Sequence, residues 1–464
     1  MTLTATAAEL WRADYTYVEE NHVRRVEKRT TALGEGNVRL EVKESWLGTA
    51  PNVYARGRLK MKQGMDGIQT HYFYEETDQY GALYKVTAET RIAGESVPGL
   101  SSRKVTYVSG QGNNMRYEQY ARLADGAWSM TDASSYEYDV ENRWVKRTRA
   151  NGRVYERMMT CCGPLWERDE NGVTTSYSYN TARQLVETIR SAVADGETMI
   201  TPETITSYTR DALGKITSLR RDAGPMTTVE SREYDLLGRL IRETDILGRT
   251  TVRSYSGDGL VETVTTPAGA TLITRKSPSG AVVRRYGTGQ QDILYTVEAT
   301  AEGIRTTEAV PGGEGGAPRV VTGSSTVNGF GDLVRIAAAN TLNGENVRTL
   351  AYDDKGRLIR EQLADMAPTL YAYDAFGNRT RAIVALEDEP TILNSRITDY
   401  AYVAESREDG IYRLVSITSY TSSGTPVLQK RAALLSALSS VLAGKTVMTD
   451  PRGHDTVELS LIHI

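Results

Sequence analysis

Glycine recurs along part of this chain at an almost even beat: Gly238, Gly248, Gly259, Gly269 and Gly280 follow one another at 10, 11, 10 and 11 residues. Around three turns the flanks repeat as well, in Tyr234-Asp235-Leu236-Leu237-Gly238-Arg239-Leu240, Tyr352-Asp353-Asp354-Lys355-Gly356-Arg357-Leu358 and Tyr373-Asp374-Ala375-Phe376-Gly377-Asn378-Arg379. A period of about 21 residues, halved by a second glycine turn, is the mark of one supersecondary unit stacked many times. Such a chain builds a surface by adding modules rather than closing around one cleft.

Each unit has a physical reading. Asp at the first turn position caps backbone N–H groups, and Gly at the fourth absorbs an unusual φ. The flanks alternate, as in Tyr136-Glu137-Tyr138, Tyr177-Ser178-Tyr179, Tyr371-Ala372-Tyr373 and Tyr400-Ala401-Tyr402. Alternation puts the rings on one strand face and small or polar residues on the other. Strands separated by turns every ~8–12 residues belong to an all-β protein. The expected fold is therefore stacked β-hairpin repeats forming one continuous curved or spiralling sheet. Its candidate structural positions are Asp211, Gly214, Tyr234, Asp235, Gly238, Arg239, Tyr352, Asp353, Gly356, Arg357, Tyr373, Asp374 and Gly377.

The aromatic composition supports a thin sheet. There are 27 Tyr but 3 Phe, and Tyr can bury its ring while its hydroxyl stays bonded or wet. Two arrangements fit: an inner face toward a cavity, or plain packing of Tyr across neighbouring strands.

Charge and motifs then exclude several functions. Lys plus Arg number 55 and Asp plus Glu 59, for a net charge of −4, so no basic excess favours nucleic acid. The basic runs at Arg24–Arg29 and Arg220–Arg221 are interrupted or closed by acids. The longest uncharged run, Leu414 to Gln429, is 16 residues and too short and polar for the ~20 that span a membrane. Met1 to Leu10 lacks a signal-peptide pattern, which leaves export to another route or an upstream start. Of four histidines, none belongs to a nucleophile elbow or a His-Glu-x-x-His pair. No catalytic residue, cofactor or metal site is expected. The only cysteines, Cys161 and Cys162, are adjacent. They read either as small residues at a tight bend before Gly163-Pro164 or as a redox or metal-binding pair.

The expected organisation has five parts. Residues 1–130 form a divergent β-rich region or cap, and 131–306 a regular array. A Gly/Pro-rich loop at 307–326 centres on Pro311-Gly312-Gly313. A second array follows at 327–458, with a short helix near 431–443 where Leu434, Leu435, Leu438, Val441 and Leu442 fall at helical spacing. An atypical tail closes the chain at 459–464, as a truncated reading frame would.

The units around Tyr234, Tyr352 and Tyr373 resemble the YD repeats of the Rhs family, which includes bacterial wall-associated proteins, insecticidal toxin-complex subunits and teneurins. Thr449-Asp450-Pro451-Arg452-Gly453 resembles another such turn. The resemblance covers roughly residues 131–458. It implies a ribbon wound into a hollow shell, which in some members encloses a toxic C-terminal domain, and a fragment of a larger bacterial protein. Self-cleaving members carry an Asp-Pro-x-Gly-Leu motif; His454 stands in place of that Leu, so cleavage is not carried over.

The function expected on these grounds is a non-enzymatic scaffold of a large exported or surface Rhs-type protein, with the shell of a polymorphic toxin as its sharper form. The expected partners are an enclosed C-terminal toxin domain or a cell-surface glycan, with no nucleic acid and no membrane span. The alternative is a carbohydrate-binding or adhesion module in which Tyr and Trp rows (Trp128, Trp144, Trp166) stack on glycans. A hydrolase would need convergent carboxylates in one pocket.

Overall fold

The computed structural model describes residues 11–460 apart from 33–37, 93, 99, 196–197, 313–319, 341–343, 365, 388–394, 409, 422 and 437–443. Strands rich in Thr, Val, Ile and Tyr, such as Thr250–Tyr255, alternate with tight turns. Each strand pairs antiparallel with the next, from Trp11–Glu20 to Asp455–Ser460, in one open sheet of 35 strands. The hairpin Val193–Asp195 with Thr198–Thr201 stands off the sheet, and Leu185–Arg190 pairs with Thr204–Arg210 across it.

A ribbon one layer thick exposes far more surface than a globule. The chain presents 27515 Å², against about 17,000 Å² for a compact monomer of its 51.2 kDa mass. No residue from 207 to 302 is buried. Burial returns in the early strands at Val42, Ala50, Met61 and Ala133, and in the late ones at Ala404, Tyr412 and Ala432. The buried clusters there are local, Ala82 with Val105 and Tyr107, and Tyr412 with Ala432 and Val447, and the same two stretches of chain come together at a few points.

Three contacts define that seam. Arg39 pairs with Asp332, 293 positions away, with its guanidinium carbon 3.9 Å from the Phe330 ring centroid. The Lys355 side chain lies over Gly67, where an added Cβ would come within 3.3 Å of it. The Ala124 N–H donates to the Ala404 carbonyl at 3.3 Å. Positions 39, 67 and 124 advance together with 332, 355 and 404, so the second winding runs alongside the first in the same direction. Leaving aside the stand-off hairpin, the Gly67 turn joins the fourth and fifth strands and the Lys355 turn the twenty-seventh and twenty-eighth. One winding therefore takes 23 strands.

Several expected boundaries run differently in the structure. The division at 130 falls inside the strand Trp128–Tyr138, and that at 306 inside Gly303–Val310. An array in which every strand hydrogen-bonds both neighbours has no natural break. The loop expected at 307–326 is strand at both ends, with Val310 paired to Val320; residues 313–319 lie outside the described residues. The helix expected near 431–443 is strand in its first part. Pro426–Leu434 pairs along Gly410–Tyr420, and Ala432 packs with Tyr412 and Val447, so alternation decides there and helical spacing does not. Residues 437–443 lie outside the described residues. In the atypical tail, Leu459 and Ser460 continue the strand Asp455–Ser460, and 461–464 lie outside the described residues.

Arg39→Ala removes the buried guanidinium and leaves Asp332, one-fifth exposed, with the Asn328 amide at 3.3 Å, a loss expected below the ~3–5 kcal/mol of a fully buried pair. Amide exchange is expected to rise in the turns at 328–332 and 353–357 while 235–281 keeps its parental rates. An equal rise in both regions would show that the seam is not held there.

Candidate functional site: the riveted edge of the wall

The turn at Asp235 shows how the repeat works. The Asp235 N–H donates to the Arg239 carbonyl at 2.9 Å, and the Gly238 N–H to the Asp235 carbonyl at 2.8 Å. One carboxylate oxygen accepts the N–H groups of Leu237 and Arg239; the other accepts the Arg239 guanidinium at 2.7 Å. Gly238 has φ +75°, in the left-handed region where a side chain is strained. This is a hairpin of three loop residues closed by a glycine bulge.

Asp211, Asp353 and Asp374 make the same backbone bonds, to Lys215, Arg357 and Asn378. Gly214, Gly356 and Gly377 hold positive φ in those turns. Asp450 does likewise, with His454 in the Arg position, 3.3 Å from the carboxylate. Thr266, Asn180 and Asn328 stand in the Asp position of further turns.

Neighbouring turns are tied to one another. Successive turns alternate between the two edges of the ribbon, so each hairpin is closed at one edge and open at the other. Tyr234 donates its hydroxyl to the carbonyl of Ile216, Tyr255 to Leu240, Tyr352 to Leu333 and Tyr373 to Leu358, at 2.7–3.1 Å. Tyr74, Tyr138, Tyr179 and Tyr402 do the same with Leu59, Asn114, Pro164 and Arg379. In all eight, the acceptor is the first residue of the preceding strand. The tyrosine closes the open end of the hairpin, and all eight lie on one edge. The basic residue of one turn then covers the tyrosine of the next: Lys215 lies over Tyr234, Arg239 over Tyr255 and Arg357 over Tyr373, at 4.3–5.1 Å from the ring centroids. It is this riveted edge of the second winding that abuts the plain edge of the first at the seam.

Charge at the turns follows from these bonds. The N–H four residues on, with the side chain beside it, holds Asp139, Asp235 and Asp450 below the usual carboxylate value. For Asp245 the Arg249 guanidinium is the larger cause. Burial pushes the phenols of Tyr74, Tyr107 and Tyr155 up to about 12.

Other candidate chemistry is absorbed by structure. Trp144 lies under the Arg157 guanidinium at 3.5 Å, Trp128 under Arg103 at 4.2 Å and Trp166 under Arg168 at 5.8 Å. A cavity of about 480 Å³ does bring Glu89 and Glu118 together. Glu89 is held by Arg91 and Arg103, and Glu118 by Arg116 and the hydroxyls of Tyr107 and Tyr120. His22 faces Thr49 and His71 faces Gln69. Among the described residues no group of three or more His, Cys, Asp or Glu is placed to hold a metal.

Sequence reasoning missed the seam residues Arg39, Phe330 and Asp332. The available signal was Phe330, a large aromatic at a turn position that Leu213, Leu237 and Leu247 leave exposed.

Residues 234–271 match the family model described as RHS Repeat. No curated protein sequence matches the chain. Similar solved structures include TcdB2-TccC3-Cdc42, at TM-score 0.37 and 10% identity over 94% of this chain and 32% of that one. TcdB2-TccC3 is similar at TM-score 0.36 and 10% identity over 97% and 34%. A Tc holotoxin pore of Photorhabdus luminescens is similar at TM-score 0.25 and 10% identity over 98% and 34%. The chain spans about a third of the length of these structures.

Tyr255→Phe and Tyr373→Phe each delete one hydroxyl–carbonyl bond. Each is expected to lower unfolding stability by about 1 kcal/mol, additively because the sites share no partner, as read from urea midpoints. Loss from neither would remove the rivets from the account. The pH dependence has two ends. The lowered aspartates lend stability that is complete above their unfolded value of ~4 and is lost as pH falls further; the raised phenols lend stability complete below ~10 and lost as pH rises toward ~12. The thermal midpoint is expected to be flat between these limits and to fall beyond both, whereas a narrow maximum near neutrality would contradict the assignment.

Proposed function

We propose that this chain, an Rhs/YD-repeat protein, is a non-enzymatic length of wall in a large exported or surface protein, and that the wall encloses a C-terminal toxin domain of that protein. The observation that carries the reading is the 23-strand winding that meets itself along the Arg39–Asp332 seam. Strands spaced ~4.8 Å apart give a circumference of about 110 Å and a width of about 35 Å. Barrels of 16–18 strands already leave an aqueous channel, so a winding of 23 strands cannot fill its interior with its own side chains.

The riveted construction fits a wall better than a binding face. Tyrosine hydroxyls bonded to backbone, and tryptophan rings under guanidinium groups, leave few free aromatic faces for a sugar to stack on. Trp11, Tyr15 and Tyr17 are exposed on one strand, and they are the residues a carbohydrate reading would rest on. No reaction is assigned to the chain. No helix among the described residues is long and apolar enough to cross a membrane, and an extracellular or surface location is part of the proposal.

Single-particle imaging of the chain is expected to show a ribbon around a low-density interior; a filled interior would overturn the wall. For the enclosed domain, proteinase treatment of the intact protein is expected to spare the segment beyond the array until denaturant opens the wall. Digestion at one rate with and without denaturant would favour an open scaffold or adhesin.

A further inference from the structure

Cys161 and Cys162 are free thiols at the bend that joins Val154–Met159 to Pro164–Arg168. Cys161 is exposed, Cys162 partly so, and their Sγ atoms lie 3.0 Å apart. The backbone beneath them is fixed from several sides. The Thr160 N–H and hydroxyl both donate to the Gly163 carbonyl, at 2.7 and 2.8 Å, and the Cys162 N–H donates to the Thr160 hydroxyl oxygen at 3.2 Å. Arg143, from the neighbouring turn on the same edge, donates to the Thr160 carbonyl at 2.9 Å. On the other side the Tyr179 hydroxyl donates to the Pro164 carbonyl at 3.1 Å, in space that a side chain at Gly163 would fill. Both thiols thus project together from a bend pinned at either end. Hydrogen bonding of the Cys162 thiol to Cys161 Sγ keeps it above its ordinary pKa, so that group rests as a thiol near neutrality.

We propose that Cys161 and Cys162 are a reversible modification site that closes to a vicinal disulfide by exchange with a low-molecular-weight disulfide. One cysteine, as thiolate, attacks the external disulfide and expels one external thiolate, leaving a mixed disulfide. The second cysteine attacks the sulfur of the first and expels the other external thiolate. Two electrons pass to the external disulfide, and the two cysteine protons end on the two external thiols. Adjacent Cα atoms stand ~3.8 Å apart, shorter than the ~4.4–6.8 Å of ordinary disulfides. The ring is therefore strained, and strained, exposed disulfides are the ones that external thiols reopen.

The test uses the folded full chain with oxidised glutathione, followed by alkylation of remaining thiols. Trypsin, cutting after Arg157 and Arg168, releases the peptide Met158–Arg168 with both cysteines. The expected product is that peptide, unalkylated, free of glutathione and two hydrogens lighter, from a monomeric chain. Excess reduced glutathione is expected to return it to the doubly alkylated form. Cys161→Ser and Cys162→Ser, made singly, are each expected to stop at one glutathione adduct. Stable adducts on the parent chain, chain-to-chain dimers, or no reaction would overturn the proposal.

Discussion

The structure depends on a bond from a tyrosine hydroxyl to a backbone carbonyl that recurs at the open end of eight hairpins. A two-stranded hairpin is marginal in water, and strands ordinarily gain stability by burying a face against another layer. Here, from 207 to 302, there is no other layer and no buried residue. The turn fixes one end of a hairpin and, where a tyrosine ends the strand, its hydroxyl fixes the other, as Tyr234 does on Ile216 and Tyr255 on Leu240. The guanidinium of the preceding turn then roofs the ring, as Arg239 does over Tyr255. Hydroxyl, ring and cation together provide locally what a core provides in a globule. This accounts for tyrosine rather than phenylalanine, since Phe could pack but could not tie.

Curvature converts that local device into architecture. Stacked hairpins twist in one sense, so a long ribbon bends back toward its own start. At 23 strands the riveted edge of the second winding reaches the plain edge of the first, and Arg39, Phe330 and Asp332 fasten it. Burial is concentrated in the early and late strands that flank it. The wall is therefore stiff within a winding through many equivalent ties and closed between windings through a few specific ones, an uneven distribution of stability along one chain.

Much of the fold was legible in the sequence because its determinants are short-range. The beat at Gly238, Gly248 and Gly259 and the alternation at Tyr371-Ala372-Tyr373 report turns and faces directly. In the fainter copies Thr266 and Asn328 accept the turn N–H groups that Asp accepts. What escaped reading depends on distance in space. The partner of Tyr234 is Ile216 and that of Tyr402 is Arg379, offsets set by strand lengths rather than by any motif. The seam pairs residues 293 positions apart, a number fixed by curvature. The stretch from Arg431 to Leu434 misled because Leu434 opens a run at helical spacing yet also alternates with Ala432, and pairing with Gly410–Tyr420 selects the strand.

The wound ribbon is tested most directly by one distance. Spin labels on Asp66→Cys and Asp354→Cys, with Cys161→Ser and Cys162→Ser in the background, sit in the two turns that bring Gly67 and Lys355 together. The account predicts a short, narrow distance distribution limited by the labels themselves. A flat or gently bowed ribbon would separate the same turns by 23 strands, on the order of 110 Å at ~4.8 Å each, and a distance approaching that value would contradict it.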